Sequence, residues 1–287
     1  MTTMKKKYST NPVNAKKSLG QNFLVNRGIL DKVLGAAQLD KNDIVIEIGP
    51  GTGILTKKLS DQAGRVIAVE KDSRLIEGLK EKFKNTNVEV VEDDILNFNP
   101  TKYKILDTGY KILGNIPYYI TSHLLKTIFD PAGSKNTADR HSEKGRASNG
   151  ARKWPTPELI VLMVQKEVAQ RIMAKPPHMN LLALSVQFFA ESKIISYVSR
   201  GSFRPIPKVD SAIIRLTPKR ESRIKNHELG ERFFRLTRTA FAGKRKQLKN
   251  TLGKEILEKA GIRPESRPEE LSLEDWLKMS MYHKMEI

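Results

Sequence analysis

The sequence predicts an α/β fold, an open and mostly parallel sheet with helices on both faces, followed by a small all-helical C-terminal domain. Three observations predict it. Short apolar runs alternate with helical patterns up to about residue 189, as parallel strands joined by crossover helices require. A glycine-rich turn, Gly49-Pro50-Gly51-Thr52-Gly53, follows the first strong apolar run. Beyond Pro218 strand patterns stop and only helical spacing remains.

The elements follow in order. Residues 43 to 48 make an apolar strand, and the glycine turn leads into a helix beginning at Ile54 to Leu59. Arg65 to Val69 is a second strand, Ser73 to Phe83 a second helix and Val88 to Val91 a third strand. Lys111 to Leu113 is a fourth strand that runs into Gly114-Asn115-Ile116-Pro117-Tyr118, and Thr121 to Phe129 is a helix. Pro131 to Pro157 is rich in Gly, Ser, Asn, Lys and Arg, too poor in large apolar groups to offset the entropy of ordering, so it is expected to be a mobile surface insertion. Order resumes with a strand at Glu158 to Val164, helices at Gln165 to Met173 and Leu181 to Phe189, and a closing strand pair at Ile194 to Val198 and Ala212 to Leu216. Helices at Leu229 to Phe241, Gln247 to Leu252, Lys254 to Ala260 and Leu271 to Met279 complete the chain. The expected division is residues 1–218 as a catalytic domain and 219–287 as a helical recognition domain.

Composition narrows the partners. The chain has 287 residues with 39% hydrophobic content, enough for a sizeable core. Fifty-one Lys and Arg against 32 Asp and Glu leave a formal charge of +19, which suits a polyanion. The charge is clustered: Met1 to Leu30 contains no acid, nor does the stretch with Arg232, Arg235, Arg238, Lys244, Arg245, Lys246 and Lys249. Either run alone reads as a solvated face, but two flanking a base pocket favour nucleic acid. Cysteine is absent and the five histidines are scattered, so no metal site is expected. Without a long apolar run or a secretory signal, the expected location is the cytoplasm.

The chemistry-bearing residues fall at strand ends. The glycines of the first turn let the backbone approach a ligand closely, and Glu70, 21 residues after Gly49, stands where a carboxylate accepts bonds from ribose hydroxyls. The spacing E-x-G-x-G-x-G differs from the G-x-G-x-x-G of redox dinucleotide sites. Asp93 and Asp94 end the third strand; one could accept from an adenine amine, the other serve only as a cap. In Asn115-Ile116-Pro117-Tyr118 an amide oxygen and a backbone carbonyl adjoin, proline sets the turn and an aromatic face follows. Asn115 Oδ1 and the Ile116 carbonyl would take both hydrogens of an adenine amine and aim its lone pair at a sulfonium methyl, with Tyr118 stacking on the base. The plainer alternative is a strand-to-helix turn with Asn115 as a cap and Tyr118 in the core.

Lys17-Ser-Leu-Gly-Gln-Asn-Phe-Leu24, Glu47-Ile-Gly-Pro-Gly-Thr-Gly53, Glu70, Asp94, Gly114-Asn-Ile-Pro-Tyr118, Gln165-Lys-Glu-Val168 and Phe203-Arg-Pro-Ile-Pro-Lys-Val-Asp-Ser211 resemble the KsgA-type ribosomal RNA adenine N6,N6-dimethyltransferases. The resemblance implies a Rossmann-like class I methyltransferase domain, S-adenosylmethionine as cofactor, and dimethylation of two adjacent adenosines in the last hairpin loop of small-subunit ribosomal RNA. It implies a monomer acting on small-subunit rRNA in a partly assembled pre-30S particle. By position it assigns Asn22 and Leu24 to closure over the cofactor, Gly49 and Gly51 to its glycine loop, Glu70 to its ribose, Asp94 to its adenine, and Asn115 to both cofactor and target. It also assigns Phe203 to a sandwich of the flipped base against Tyr118; from the residues alone Phe203 reads as core. The erythromycin-resistance methylases of large-subunit RNA share the cofactor motifs and the Asn-Ile-Pro-Tyr turn, whereas the stretches at 165–168, 207–211 and 241–250 resemble the KsgA type. Some relatives matter more as assembly or transcription factors; the intact Asn115, Tyr118 and Glu70 favour retained catalysis. Tyr119 stands where some members have Asn, a change expected to affect packing below the pocket.

Overall fold

The computed structural model describes residues 15–105, 109–129, 154–219, 227–243 and 245–282. Its strands are β1 (Phe23–Leu24), β2 (Ile44–Ile48), β3 (Arg65–Glu70), β4 (Val88–Glu92), β5 (Tyr110–Asn115), β6 (Leu159–Gln165), β7 (Ala190–Val198), β8 (Phe203–Arg204) and β9 (Ser211–Pro218). Its α-helices are α1 (Arg27–Ala37), α2 (Ile54–Gln62), α3 (Ser73–Lys82), α4 (Thr121–Phe129), α5 (Lys166–Ile172), α6 (Leu181–Phe189), α7 (His227–Ala242), α8 (Lys254–Ala260) and α9 (Leu273–Tyr282).

A seven-stranded sheet in the order β4-β3-β2-β5-β6-β9-β7 is the frame. The first five strands are parallel and the last two antiparallel. The parallel strands β2, β3, β5 and β6 are buried almost throughout, because helices cover both faces. Successive residues serve opposite cores: Ile46, Ile67, Ile112 and Ile160 join the core shared with α4 and α6, while Val45, Val66, Leu113 and Val161 join that shared with α1. The first core continues into the C-terminal helices. Phe188 and Phe189 on α6 meet Phe233 and Phe234 on α7 with ring centroids 4.6, 5.3 and 5.7 Å apart. The helical tail is therefore seated on the sheet domain by an aromatic cluster.

The strand order places the site. From β2 the chain adds β3 and β4 on one side and β5 and β6 on the other, so the crevice at the carboxyl ends of β2 and β5 is the switch point where such sheets bind ligands. The register aligns those ends: Ile48 faces Val69 on β3 and Gly114 on β5. A Cβ on Gly114 would lie 2.7 Å from the Ile48 carbonyl oxygen, which is why the strand needs glycine just before the Asn115 turn.

Three elements differ from the expectation. The sequence pattern predicts no element over residues 25–42, yet α1 occupies much of them, capped by the Asn26 side chain accepting from the Ile29 amide at 3.3 Å and burying Ile29, Leu30, Val33, Leu34 and Ala37. The helix expected at Gln247 to Leu252 is only a 3-10 turn, Leu248–Asn250. The run is bounded by extended backbone at Gln247 and by Gly253 at φ +83°, which leaves room for one turn only; its first amides, which have no acceptor within a helix, donate from Leu248 and Lys249 to the Ser266 and Pro264 carbonyls at 2.8 and 3.1 Å. The proposed insertion ends earlier than Pro157. Residues 130–153 lie outside the described residues, but Trp154 is fully buried against Phe98, centroids 5.9 Å apart, and Tyr110 Oη donates to the Pro155 carbonyl at 2.5 Å. A single large aromatic with a core position outweighs the polar composition around it.

Candidate active site

Gly49, Gly51, Glu70, Asp94, Asn115 and Tyr118 line one pocket at the carboxyl ends of β2 to β5. At its rear is the glycine turn. Gly51 has φ +56°, and a Cβ there would stand 2.9 Å from the Phe23 ring, so the turn needs glycine both for its backbone and for space. Glu70 is 6% exposed and braces the turn: Oε2 accepts from the Gly51 amide at 3.1 Å, Oε1 from the Lys71 and Asp72 amides, both at 2.9 Å. Three donors leave roughly one of the four lone-pair positions of a carboxylate for a ribose hydroxyl. Burial pushes the Glu70 carboxyl above its ordinary value even though these amides pull it down.

Asp94 combines the two readings left open from sequence. Its Oδ1 accepts from the Leu96 amide at 3.0 Å as a turn cap, and its Oδ2 pairs with Lys71 Nζ at 2.7 Å. Partial burial raises the carboxyl, but the Lys71 ammonium and the Leu96 amide outweigh it and leave Asp94 below the ordinary value. An adenine amine approaching Oδ2 must share it with Lys71. Asp93 also lines the pocket and accepts from the Asp94 amide at 2.8 Å.

The Asn115 turn forms the front wall. Asn115 Nδ2 donates to the Asn22 carbonyl at 2.8 Å, which leaves Oδ1 without a donor among the described residues. Tyr118 is half-buried and its phenol shares a 2.7 Å hydrogen bond with Ser211 Oγ. Burial raises the phenol above its ordinary value, so the ring is neutral. Tyr119 does not pack below the pocket as expected: it is 63% exposed and lines the rim beside Gly20. The segment 19–23 covers the pocket and is tied down twice, by the Asn22 carbonyl and by Gln21 Nε2 donating to Asp72 Oδ2 at 2.8 Å. Asp72 also pairs with Arg74, which with the Gln21 bond holds its carboxyl down at about 2 despite its desolvation. Gln21, Lys71, Asp72 and Ser211 were not singled out individually from sequence. Asp72 carried one signal, its place as N-cap of α3 just after Glu70.

A second cavity lies behind the glycine turn, lined by Leu24, Glu47, Gly49, Gly51 and Asn115 among others. Leu24 thus faces this rear space and the core, whereas Asn22 lines the main pocket. Glu47 is 1% exposed, and neither its Oε2 nor Thr56 Oγ1 has a hydrogen-bond partner among the described residues. Burial pushes the Glu47 carboxyl from 4.5 up to about 8. The folded chain therefore keeps a proton that the unfolded chain releases from about pH 4.5 upward, so stability falls as pH rises from there to about 8. The slope is at most about 1.4 kcal/mol per pH unit. Urea titrations of the ligand-free protein should show this fall, and Glu47→Gln should flatten it; an unchanged slope in the variant would place the proton elsewhere.

Phe203 stands apart from the pocket. It is fully buried, pairs with Leu24 across β1 and β8, and packs with Val198 and Ile213, with no face toward the pocket. Antiparallel pairing of β8 with β1 holds the ring in the core, and Tyr118 is the aromatic of the pair that lines the pocket. Among the basic residues, Arg235, Arg238, Arg245 and Lys246 are exposed. Arg232 is partly buried and paired with Glu228, and Lys249 Nζ lies 3.1 Å from Glu265 Oε1. Lys244 lies outside the described residues. Among the described residues no group of three or more His, Asp or Glu could hold a metal ion, and no helix is long and apolar enough to cross a membrane.

A glycine turn, a bracing carboxylate and an amide turn at adjacent strand ends define a Rossmann-like, S-adenosylmethionine-dependent methyltransferase with a helical C-terminal part. More narrowly, the chain belongs to the ribosomal RNA adenine dimethylase family, whose model matches residues 13–284. It is 40% identical over 280 residues to ribosomal RNA small subunit methyltransferase A of Dehalococcoides mccartyi, covering 94% of this chain and 88% of that protein. The crystal structure of a dimethyladenosine transferase from Plasmodium falciparum superposes with a TM-score of 0.72 at 30% identity, covering 90% of this chain and 95% of that one. The 23S rRNA methyltransferase ErmE superposes with a TM-score of 0.70 at 27% identity, covering 91% of this chain and 98% of that one. The residues fit the cofactor: apolar Ile48, Val69 and Ile95 offer a wall for adenine, Glu70 a remaining acceptor for ribose, and Asn115 an open amide oxygen.

Proposed function

We propose that this chain dimethylates the N6 amines of two adjacent adenosines in the 3'-terminal hairpin loop of small-subunit ribosomal RNA, acting as a monomer on a partly assembled pre-30S particle. The observation that carries the reading is the open Asn115 Oδ1 beside the Ile116 carbonyl and the Tyr118 ring, at the rim of a pocket fit for S-adenosylmethionine. The bound cofactor supplies an electrophilic methyl on sulfonium. The chain's part is to hold the amine. An adenine nitrogen is a weak nucleophile because its lone pair is delocalised into the ring. Two acceptors on its hydrogens favour the tetrahedral nitrogen of the transition state and fix its direction, so geometry replaces a strong base; the methylated nitrogen is cationic and acidic, and its proton passes to solvent as the product leaves. Tyr118 stacks on the extruded base and Ser211 fixes the ring's tilt. The cover formed by residues 19–23 keeps water from the reacting centre. The exposed Arg235, Arg238, Arg245 and Lys246 supply cations for the RNA backbone.

The large-subunit alternative draws on the likeness to ErmE at 27% identity; the 40% relative named for the small subunit favours the first reading. The test is transfer from labelled S-adenosylmethionine to small and large ribosomal subunits that lack adenine dimethylation, with the modified nucleosides mapped. Dimethyladenosine at two adjacent small-subunit positions supports the proposal. Labelling of the large subunit overturns it, and RNA binding without transfer leaves an assembly factor.

A further inference from the structure

The stretches Gln165-Lys-Glu-Val168 and Lys208-Val-Asp-Ser211 take no part in the pocket described above apart from Ser211's bond to Tyr118. The fold brings them together. Gln165, Lys166, Arg200, Lys208 and Asp210 line a separate open cleft of about 500 Å³ beyond the carboxyl end of β6. It adjoins the active site through one strand end: Gln165 pairs with Ser211 across β6 and β9, and Ser211 holds the Tyr118 hydroxyl at 2.7 Å. Asp210 lines the cleft and Ser211, the next residue, holds the ring on which the target base stacks.

The cleft is built rather than loose. The Lys166 amide donates to the Asp210 carbonyl at 3.0 Å, and Asp210 Oδ1 accepts from the Arg200 backbone amide, also at 3.0 Å. One residue therefore anchors both walls, and it does so without engaging the Arg200 guanidinium. Lys166, Arg200 and Lys208 are exposed, and none forms an ion pair with an acid among the described residues. Lys166 Nζ sits 5.3 Å from the centre of the exposed Tyr197 ring, and Val209 is 43% exposed. The acids Glu167 and Asp210 share the lining. Cations with an adjacent aromatic and apolar surface suit one nucleotide unit, with phosphate on the cations and sugar or base on the carbon surface; the acids and glutamines offer hydrogen-bond partners to a base edge.

We propose that this cleft is the subsite for the nucleotide adjoining the target adenosine in the RNA strand, with its phosphate held by Lys166, Arg200 and Lys208. The proposal rests on the reading of the Asn115 turn as the methyl-transfer site. Holding the neighbouring nucleotide so close to Tyr118 keeps the strand splayed while the base is extruded.

The test uses the full chain on small subunits lacking adenine dimethylation. The double variant Arg200→Ala, Lys208→Ala should raise KM for the subunit about tenfold at moderate salt and reduce the slope of log KM against log salt by about 0.7, the value for one phosphate contact, with a much smaller change in kcat. Affinity for S-adenosylmethionine should stay within twofold, which also reports on folding. The comparison variant Lys41→Ala, Lys193→Ala removes two charges at the opposite end of the sheet and should alter KM far less. Equal changes in both doubles, or an unchanged KM in the first, overturn the subsite while leaving the methyl-transfer reading intact. No transfer by the unaltered protein overturns that reading and the subsite with it. A photoreactive nucleotide placed next to the adenosine pair should crosslink to residues 165–170 or 199–210; exclusive crosslinking to the C-terminal helices would overturn the proposal.

Discussion

In the Asn115→Ala variant, methyl transfer is expected to fall by about a hundredfold to a thousandfold, with binding of the RNA substrate nearly unchanged. Two losses combine, and their sizes differ. On the proposed reading Oδ1 accepts from a group whose charge builds only in the transition state, and removing such a partner typically costs about 2.7–4 kcal/mol. The Nδ2 bond to the Asn22 carbonyl is an ordinary neutral bond, worth about 0.5–1.5 kcal/mol net, and ties down the cover over the cofactor. The first loss should appear in kcat and the second as a cofactor affinity weakened by up to about tenfold. RNA affinity should hold, because the exposed cations lie outside the Asn115 pocket. Single-turnover rates with equilibrium titrations of cofactor and RNA separate these effects. Turnover within tenfold of the unaltered enzyme would remove Asn115 from the chemistry.

Glu70→Ala is expected to do more to the fold and to cofactor binding together. The Gly51, Lys71 and Asp72 amides all lose their acceptor in a place that is 6% exposed to water. A buried donor left without a partner costs about 1–3 kcal/mol. Removal of a carboxylate that burial already disfavours gives some of this back, so a net loss of about 3 kcal/mol is expected. The glycine turn then loses its brace, and the ribose loses its acceptor. Affinity for S-adenosylmethionine should drop by about ten- to a hundredfold, the worth of the one charge-assisted hydrogen bond that Glu70 has left to give. Glu70→Gln retains one acceptor oxygen but turns an amide group toward one of the amides, and should fall between. Denaturant unfolding gives the first quantity and calorimetric titration the second; cofactor affinity unchanged in Glu70→Ala would show that the carboxylate is only a brace.

Much of the architecture was legible because its signals are local. β2, β3, β5 and β6 are predominantly apolar runs, and the turn at Gly49 to Gly53 demands residues without a Cβ. The helix α1 is marked in the sequence by Asn26 and the spacing of Ile29, Leu30, Val33 and Leu34, but the acid-free basic character of the segment leading into it masks that apolar stripe. Phe203 was another matter. A phenylalanine beside a functional motif looks the same in sequence whether its ring lines a pocket or fills a core; the pairing of β8 with β1 decides, and that contact joins residues about 180 positions apart. Trp154 shows the same limit in reverse, a buried anchor within a segment whose average composition is that of a solvated loop.

The sequence by itself determined the fold class, the cofactor chemistry and the Asn-Ile-Pro-Tyr turn, since each depends on residues close together in the chain whose geometry is set by local backbone preference. Only the tertiary structure decided how those pieces are engaged. Glu70 bracing Gly51, Asn115 holding the Asn22 carbonyl, Lys71 on Asp94 and Ser211 on Tyr118 bring together groups from 19 to 93 residues apart. The cleft joining 165–170 to 200–210 is of the same kind. Such contacts arise from strand order and register, which no run of neighbouring residues encodes alone, because they are selected by the burial of both faces of the whole sheet.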